Sequence, residues 1–491
     1  MTYRAPLSIL LAATLTACGE SSPTPADAQT DVAVDAQADA RADAPADAPG
    51  GCTVPAVRLG DSMEAVALAT SPARCGQSPF QLITDPSLGT PTGMMGARQS
   101  YTAAVLQALA TAGGINLPVA LSRDVTVDQI AYTTQDRGRL TTATTLVAYP
   151  RNLSERTSFE TILVLHGTSG FTDACAPSST TDARGLAAAF ASAGYVVVAP
   201  DYLGMHGFGP PQGFPHPYLV GTATAIASLD ALRAGIRHVA AQGTETCASA
   251  RYVAFGGSQG GHAALWVDRI GGWYAPELTL MGTVATVPPA DLEAETNRAL
   301  RETVQATANI AAFLTVTAPW YGLGTRFSEV FRAPYDTMLP TLLASTCSPE
   351  VRDLTRETVF TQALLDAGTS TAGVRSLAPW GCLVTENGIT STSIPRATPT
   401  GAGYGILWVL GEADQLVNTP IERASFQTLC RAGYRMQYLE CAGAAHTRAT
   451  TWALPEILDF MRARFDGRPL DTASMCMVNA PTRCRATPAA M

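Results

Sequence analysis

The chain has 491 residues, 46% of them hydrophobic and 15% charged, with a formal net charge of −9. This is a globular composition, and the length exceeds what one hydrophobic core usually holds, so a main domain plus a second unit is expected. All 32 basic residues are arginine. That excludes P-loop lysines, Schiff-base chemistry and serine–lysine dyads, and the acidic balance offers no footprint for nucleic acid.

Residues 1–18 carry a charged start (Arg4), an apolar run over 7–15, and then Leu15-Thr16-Ala17-Cys18. The run is too short to span a bilayer and reads as a secretory signal. Leu-Thr-Ala-Cys resembles a bacterial lipobox. That implies lipid on Cys18 and an exported protein anchored to a membrane, the outer one in the favoured reading; an ordinary signal peptide is the alternative. From 19 to 51 the chain is mostly Ala, Asp, Pro and Thr, with Asp27, Asp31, Asp35, Asp39, Asp43 and Asp47 every fourth residue. Like charges four apart oppose a helix and prolines interrupt it, so this segment reads as a solvated tether reaching roughly 30 Å. It holds two thirds of the net negative charge, which leaves the folded part only mildly acidic.

Ten cysteines follow Cys18: Cys52, Cys75, Cys175, Cys247, Cys347, Cys382, Cys430, Cys441, Cys476 and Cys484. An even number in an exported chain implies disulfides, whose pairing the sequence leaves open. Neither C-x-x-C nor H-E-x-x-H occurs, so no metal site and no cofactor is expected. Residues 52–125 are punctuated by cysteine and proline, with a helix expected near 97–112. Gly60-Asp61-Ser62 lacks the apolar strand that a G-D-S hydrolase motif would need before it. Residues 128–150 read as a hairpin turning at Asp136-Arg137-Gly138.

Short apolar strands at 161–166, 195–200, 252–255, 281–287, 406–411 and 436–441 then alternate with helices at 182–193, 221–239, 419–432 and 455–465. This pattern means an α/β fold with a mostly parallel sheet covered on both faces. Between the fourth and fifth of these strands lies an insert, 288–403, whose first helix is expected to place Leu292, Leu300, Val304, Ala308, Ala311 and Leu314 on one face. It reads as a helical cap over the carboxyl ends of the strands, where such sheets bind ligands. The main domain is thus expected over 52–287 and 404–466, with a cysteine-containing tail at 467–491.

The chemistry concentrates at 252–261. An apolar strand, Tyr252-Val253-Ala254-Phe255, runs into Gly256-Gly257-Ser258-Gln259-Gly260-Gly261, and a helix-forming run follows at His262. Strand, glycine-flanked serine and helix are the context of a G-x-S-x-G nucleophile elbow of the α/β-hydrolase type. The Gln259 N–H would face a developing oxyanion. A nucleophilic serine needs a base and the base an orienting acid, in the chain order Ser, Asp/Glu, His. Only His262 and His446 lie beyond Ser258, and His262 belongs to the elbow helix, so His446 is the base by elimination. The acid is expected in the loop after 406–411, which supplies Asp414, with Glu412 as second choice. The second oxyanion donor is expected from the loop after 161–166, with the Thr168 N–H favoured and Gly167 next. His166 and His216 read as structural.

Five blocks then carry a resemblance: 166–178 (HGTSGFTDACAPS), 199–204 (APDYLG), 216–219 (HPYL), 229–234 (LDALRA) and 256–266 (GGSQGGHAALW). In this order they resemble the bacterial branch of the secretory lipase family, over about 130–465. The resemblance implies an α/β-hydrolase without metal that cleaves small-molecule carboxylic esters or lipids, often with a helical cap. By motif it implies Ser258 as nucleophile, Asp414 as acid and His446 as base. Gly257 departs from the family, where an aromatic or histidine is commoner, and is expected to widen the pocket; the tail beyond Phe465 lies outside the resemblance. The favoured reading is a lipid-anchored serine esterase or lipase. The alternatives are a serine peptidase of the same fold and a non-catalytic surface binding protein on a hydrolase scaffold.

Overall fold

A computed structural model describes residues 51–59, 75, 82–112, 119–351, 354–399 and 401–488. The signal, Cys18, the tether up to residue 50 and the Gly60-Asp61-Ser62 triplet lie outside these residues. Nine strands form one sheet: β1 (Pro91–Tyr101), β2 (Val125–Asp136), β3 (Arg139–Pro150), β4 (Thr157–Leu165), β5 (Val196–Pro200), β6 (Thr246–Gly257), β7 (Thr279–Thr286), β8 (Ile406–Gly411) and β9 (Met436–Cys441). Their order is β1-β2-β3-β5-β4-β6-β7-β8-β9. The first four neighbours pair antiparallel, and every pairing from β5 onward is parallel. The β2–β3 hairpin turns at Arg137 (φ 46°) and Gly138 (φ 72°). Two left-handed residues in a two-residue loop match the right-handed twist of the flanking strands.

Thirteen helices lie among the described residues: α1 (Ala103–Ala112), α2 (Thr181–Ser192), α3 (Gly221–Ala241), α4 (Gln259–Tyr274), α5 (Leu292–Arg301), α6 (Ala306–Thr317), α7 (Tyr335–Leu343), α8 (Arg356–Val359), α9 (Gln362–Thr369), α10 (Trp380–Asn387), α11 (Thr419–Arg431), α12 (His446–Trp452) and α13 (Leu454–Phe465). Successive strand residues point to opposite faces, so each parallel strand feeds two cores. Tyr252 and Ala254 of β6 join the side covered by α3, α4 and α11, while Val253 and Phe255 join the side covered by α1, α2 and α13. This double coverage is why the strands read as unbroken apolar runs.

Two expectations need correction. The segment near 97–112 is not one helix: Pro91–Tyr101 pairs with β2 as an edge strand, and the helix begins only at Ala103. The first stretch of the insert likewise breaks into α5 and α6, so Leu292 through Leu314 do not share one helix face. Glu302 is extended (φ −145°, ψ 151°). The Leu300 carbonyl accepts from Arg356 Nη1 at 2.6 Å and the Val304 N–H donates to the Thr307 hydroxyl at 2.9 Å, so the two groups that a continuous helix would pair have other partners.

All ten described cysteines are paired: Cys52–Cys247, Cys75–Cys382, Cys175–Cys347, Cys430–Cys476 and Cys441–Cys484. The insert is thus not closed on itself. Cys347 ties it to the loop after β4, and Cys382 ties it to Cys75. The tail is bound as tightly. Thr482 bridges Cys441 in parallel, donates to the Glu440 carbonyl at 2.9 Å and accepts from the Ala442 N–H at 2.8 Å. No helix among the described residues is long and apolar enough to cross a membrane. Disulfide density of this kind belongs to exported chains. Replacing Cys175 and Cys347 together by serine should cost about 2–5 kcal/mol of stability, since the bond closes a long loop. A denaturant melt in non-reducing buffer measures it, and an unchanged midpoint would rule out a structural role for this tie.

Candidate active site

The serine at the end of β6 is held by backbone geometry. Ser258 has φ 58° and ψ −122°, a conformation that non-glycine residues rarely adopt. Its N–H donates to the Thr286 carbonyl at 2.9 Å, and its carbonyl accepts from the His262 N–H at 3.0 Å, which starts α4. The glycines around it leave no room for side chains. A Cβ on Gly256 would overlap the Gly260 carbonyl oxygen, one on Gly260 the Leu165 carbonyl oxygen, and one on Gly261 would lie 2.7 Å from the Thr286 oxygen. Strand and helix therefore cross at backbone contact, and the half-buried Ser258 sits at the positive end of α4.

Asp414 and His446 are in contact. Gly411 of β8 runs so close to Ala444 that a Cβ would overlap the Ala444 carbonyl oxygen, and the Ala413 N–H donates to that oxygen at 2.9 Å. Asp414 Oδ1 accepts from the Leu416 and Val417 N–H groups at 2.9 and 3.1 Å. Its Oδ2 accepts the Nδ1–H of His446 at 2.7 Å, with the Asp414 side chain only 1% exposed. That bond selects the tautomer whose Nε2 carries a lone pair, and Nε2 is buried with no hydrogen-bond partner. Glu412 instead accepts from the Gly443 N–H at 2.8 Å and holds the loop of the histidine.

His446 is the first residue of α12, and Thr450 follows one turn later on the same face. Thr450 Oγ1 lies 2.5 Å from Thr286 Oγ1, which fastens α12 beside the elbow. A Cβ on Gly257 would sit 2.8 Å from the Thr286 hydroxyl and 3.2 Å from that of Thr450. A glycine at 257 thus leaves room for α12 beside the elbow.

The loop after β4 also reaches the elbow. A Cβ on Gly167 would lie 3.3 Å from the Gly257 carbonyl oxygen and 3.8 Å from Ser258 Cβ, with Thr168 next along the chain. Thr168 Oγ1 is 2.9 Å from the Tyr218 hydroxyl, which also accepts from Asn309 Nδ2 of α6 at 3.3 Å. Tyr218 was visible only as part of a motif, and Asn309 carried no sequence signal, because its importance is a tertiary contact. The Gln259 side chain turns inward: its Nε2 donates to His216 Nε2 at 2.6 Å, while His216 Nδ1–H donates to the Leu203 carbonyl at 2.7 Å. His262 Nε2 faces the Asn387 carbonyl at 2.7 Å, so it belongs to the helix–insert contact and not to the chemistry. No group of side chains among the described residues forms a metal site.

Residues 178–472, well over half of the chain, match the secretory lipase family. The chain belongs to that family. This secretory lipase is a carboxylic-ester hydrolase of the lipase and esterase class. A comparison with curated proteins finds no match. Among solved structures, it is similar to the rice cell wall degrading esterase LipA from Xanthomonas oryzae, with a TM-score of 0.60 at 18% identity over 78% of this chain and 98% of that one. It is also similar to Candida antarctica lipase A, with a TM-score of 0.57 at 16% identity over 83% of this chain and 91% of that one. At such identities the likeness concerns the fold.

Burial holds His216 down to about 3 and His262 down to about 4, against 6.5 for an ordinary imidazole. Both are neutral when folded and take up a proton on unfolding. Their contribution is present above about pH 6.5 and lost as pH falls toward about 4 for His262 and about 3 for His216. At pH 5 the two together should take up about two protons on unfolding. His262→Gln, which still donates to Asn387, should remove about one of them. The pH dependence of thermal midpoints measures the uptake, and an unchanged slope would show that the His262 imidazole is not held neutral.

Proposed function

We propose that Ser258, His446 and Asp414 form the catalytic triad of a serine ester hydrolase acting through an acyl-enzyme. One observation carries the reading. The Asp414–His446 bond leaves a buried, unpartnered Nε2 on a helix fastened beside a serine held at φ 58°.

Ser258 Oγ attacks the ester carbonyl carbon as His446 Nε2 takes its proton. The oxyanion accepts hydrogen bonds from the Gln259 N–H and from the loop after β4, where Thr168 and Gly167 are the candidate donors. Collapse breaks the bond to the alcohol, which leaves with the proton from His446. Water then attacks the acyl-enzyme and gives its proton to His446, and the carboxylic acid departs as that proton returns to Ser258 Oγ. Asp414 holds the tautomer and stabilises the imidazolium throughout.

In this reading residues 288–403 are a cap that excludes water and supplies an apolar acyl site, held by Cys175–Cys347 and Cys75–Cys382 against free swinging. Cys18 carries lipid, the tether spaces the domain from a membrane, and the substrate is a small ester or lipid.

Ser258→Ala should lower kcat by about 10⁶-fold and abolish labelling by a fluorophosphonate probe, and Asp414→Asn should cost about 10⁴-fold. Hydrolysis of p-nitrophenyl esters reads both. A folded Ser258→Ala protein retaining a tenth of the activity would exclude the triad. Cys18→Ser should move the protein from the detergent phase to the aqueous phase in Triton X-114 partitioning. Equal partitioning of both forms would remove the anchor.

A further inference from the structure

The loop from β8 to α11 carries Asp414, and its carboxylate closes the turn from inside through the Leu416 and Val417 N–H groups. The outer side of this turn is held from the insert. Arg298 of α5 donates from Nη2 to the Leu416 carbonyl at 2.8 Å and reaches the Gln415 carbonyl at 3.4 Å. The Asn418 N–H donates to Glu295 Oε1 at 2.5 Å. Glu295 and Arg298 lie one turn apart on α5, joined by Arg298 Nε–H to Glu295 Oε2 at 3.0 Å, with side chains only 4% and 12% exposed. Residues 415, 416 and 418 are therefore gripped by one buried ion pair on a helix outside the sheet.

The surroundings are acidic. Glu422 of α11 is fully buried, and its carboxyl is pushed well up by burial and by Glu295 and Asp291; Oε1 accepts from the Ala290 and Asp291 N–H groups. Burial also raises Glu295, with Asp414 adding to the rise and Arg298 opposing it. Desolvating an ion pair costs about as much as its attraction returns, so stability alone gives little reason for it here. Its contacts are specific: they fall on residues 415, 416 and 418, in the turn that carries Asp414.

We propose that Glu295 and Arg298 are positioning residues for ester hydrolysis, acting through residues 415–418 to hold Asp414 against His446. The inference rests on the triad reading above. It makes the first helix of the insert part of the catalytic scaffold.

The test uses the purified full-length protein with p-nitrophenyl butyrate, measuring kcat, KM and the pH dependence of kcat/KM beside the thermal midpoint. Arg298→Gln should lower kcat by about 10- to 100-fold with KM held within about twofold, as expected for displacement of a catalytic group. The acid limb of kcat/KM should move to lower pH, because an imidazolium that loses its carboxylate partner gives up its proton more easily. Glu295→Gln, which still accepts from Asn418, should be milder than Glu295→Ala, and Arg298→Lys should recover part of the loss. These conservative variants carry the same readout if Arg298→Gln does not fold. A lowered midpoint with kcat and the acid limb unchanged well below it would overturn the proposal. Asp414→Asn run in parallel separates the two readings: its retaining activity would remove the triad itself, whereas an inactive Asp414→Asn beside a fully active Arg298→Gln would remove only the positioning role. The double variant Asp414→Asn/Arg298→Gln should lose no more than Asp414→Asn alone, and additive loss would also overturn the proposal.

Discussion

A serine at φ 58° between glycines that admit no Cβ constrains most of what surrounds it. Such a residue persists only where its neighbours over-determine it. Here they do: the Ser258 N–H is bound by the Thr286 carbonyl, Gly260 rests on the backbone of Leu165, and Gly261 rests on that of Thr286. The order of β4, β6 and β7 at the sheet centre follows, because all three strands must end together around one turn. The loop after β4 then lies beside Ser258, and α4 begins at Gln259, directly after it.

Asp414 and His446 come from the other half of the sheet, and their placement uses restraints of a different kind. β8 and β9 bring Gly411 against Ala444, which sets the two loops side by side. Beyond that contact, each loop is held from outside the hydrolase core. The tail fastens the histidine side through Cys441–Cys484, the Thr482 bridge and a bond from the Ala486 N–H to the Trp452 carbonyl at 2.9 Å. The insert fastens the acid side through Glu295 and Arg298, and the loop after β4 through Cys175–Cys347 and through Asn309 on Tyr218. The site is a convergence of four segments distant in sequence, and the insert touches two of the loops that compose it.

The histidines divide by their partners. His446 has a carboxylate on one nitrogen and nothing on the other, which leaves a lone pair free for a proton. His216 uses both nitrogens within the protein, and His262 directs its Nε2 at a carbonyl of the insert. Burial keeps these two neutral, as connectors under the elbow. One residue type thus stands with a ring nitrogen open or with its nitrogens engaged in architecture according to its partners.

Sequence alone determined the parallel sheet, the elbow, and the roles expected of Ser258, Asp414 and His446, because these depend on local patterns: apolar runs of strand length, glycines at fixed offsets, and a scarcity of histidines beyond the serine. The hairpin at Arg137-Gly138 was legible for the same reason, since two left-handed residues leave a compositional mark. Tertiary structure decided what depends on partners distant in sequence. Pro91–Tyr101 became a strand because the edge of β2 was open to it, and where the insert's first helix ends the Leu300 carbonyl accepts from Arg356 while the Val304 N–H turns to the Thr307 hydroxyl. The pairing of ten cysteines, the contact of Thr450 with Gly257 and the grip of Glu295 and Arg298 on residues 415–418 have no local signature. Each is set by which surfaces meet once the sheet has formed, and a linear pattern does not encode that meeting.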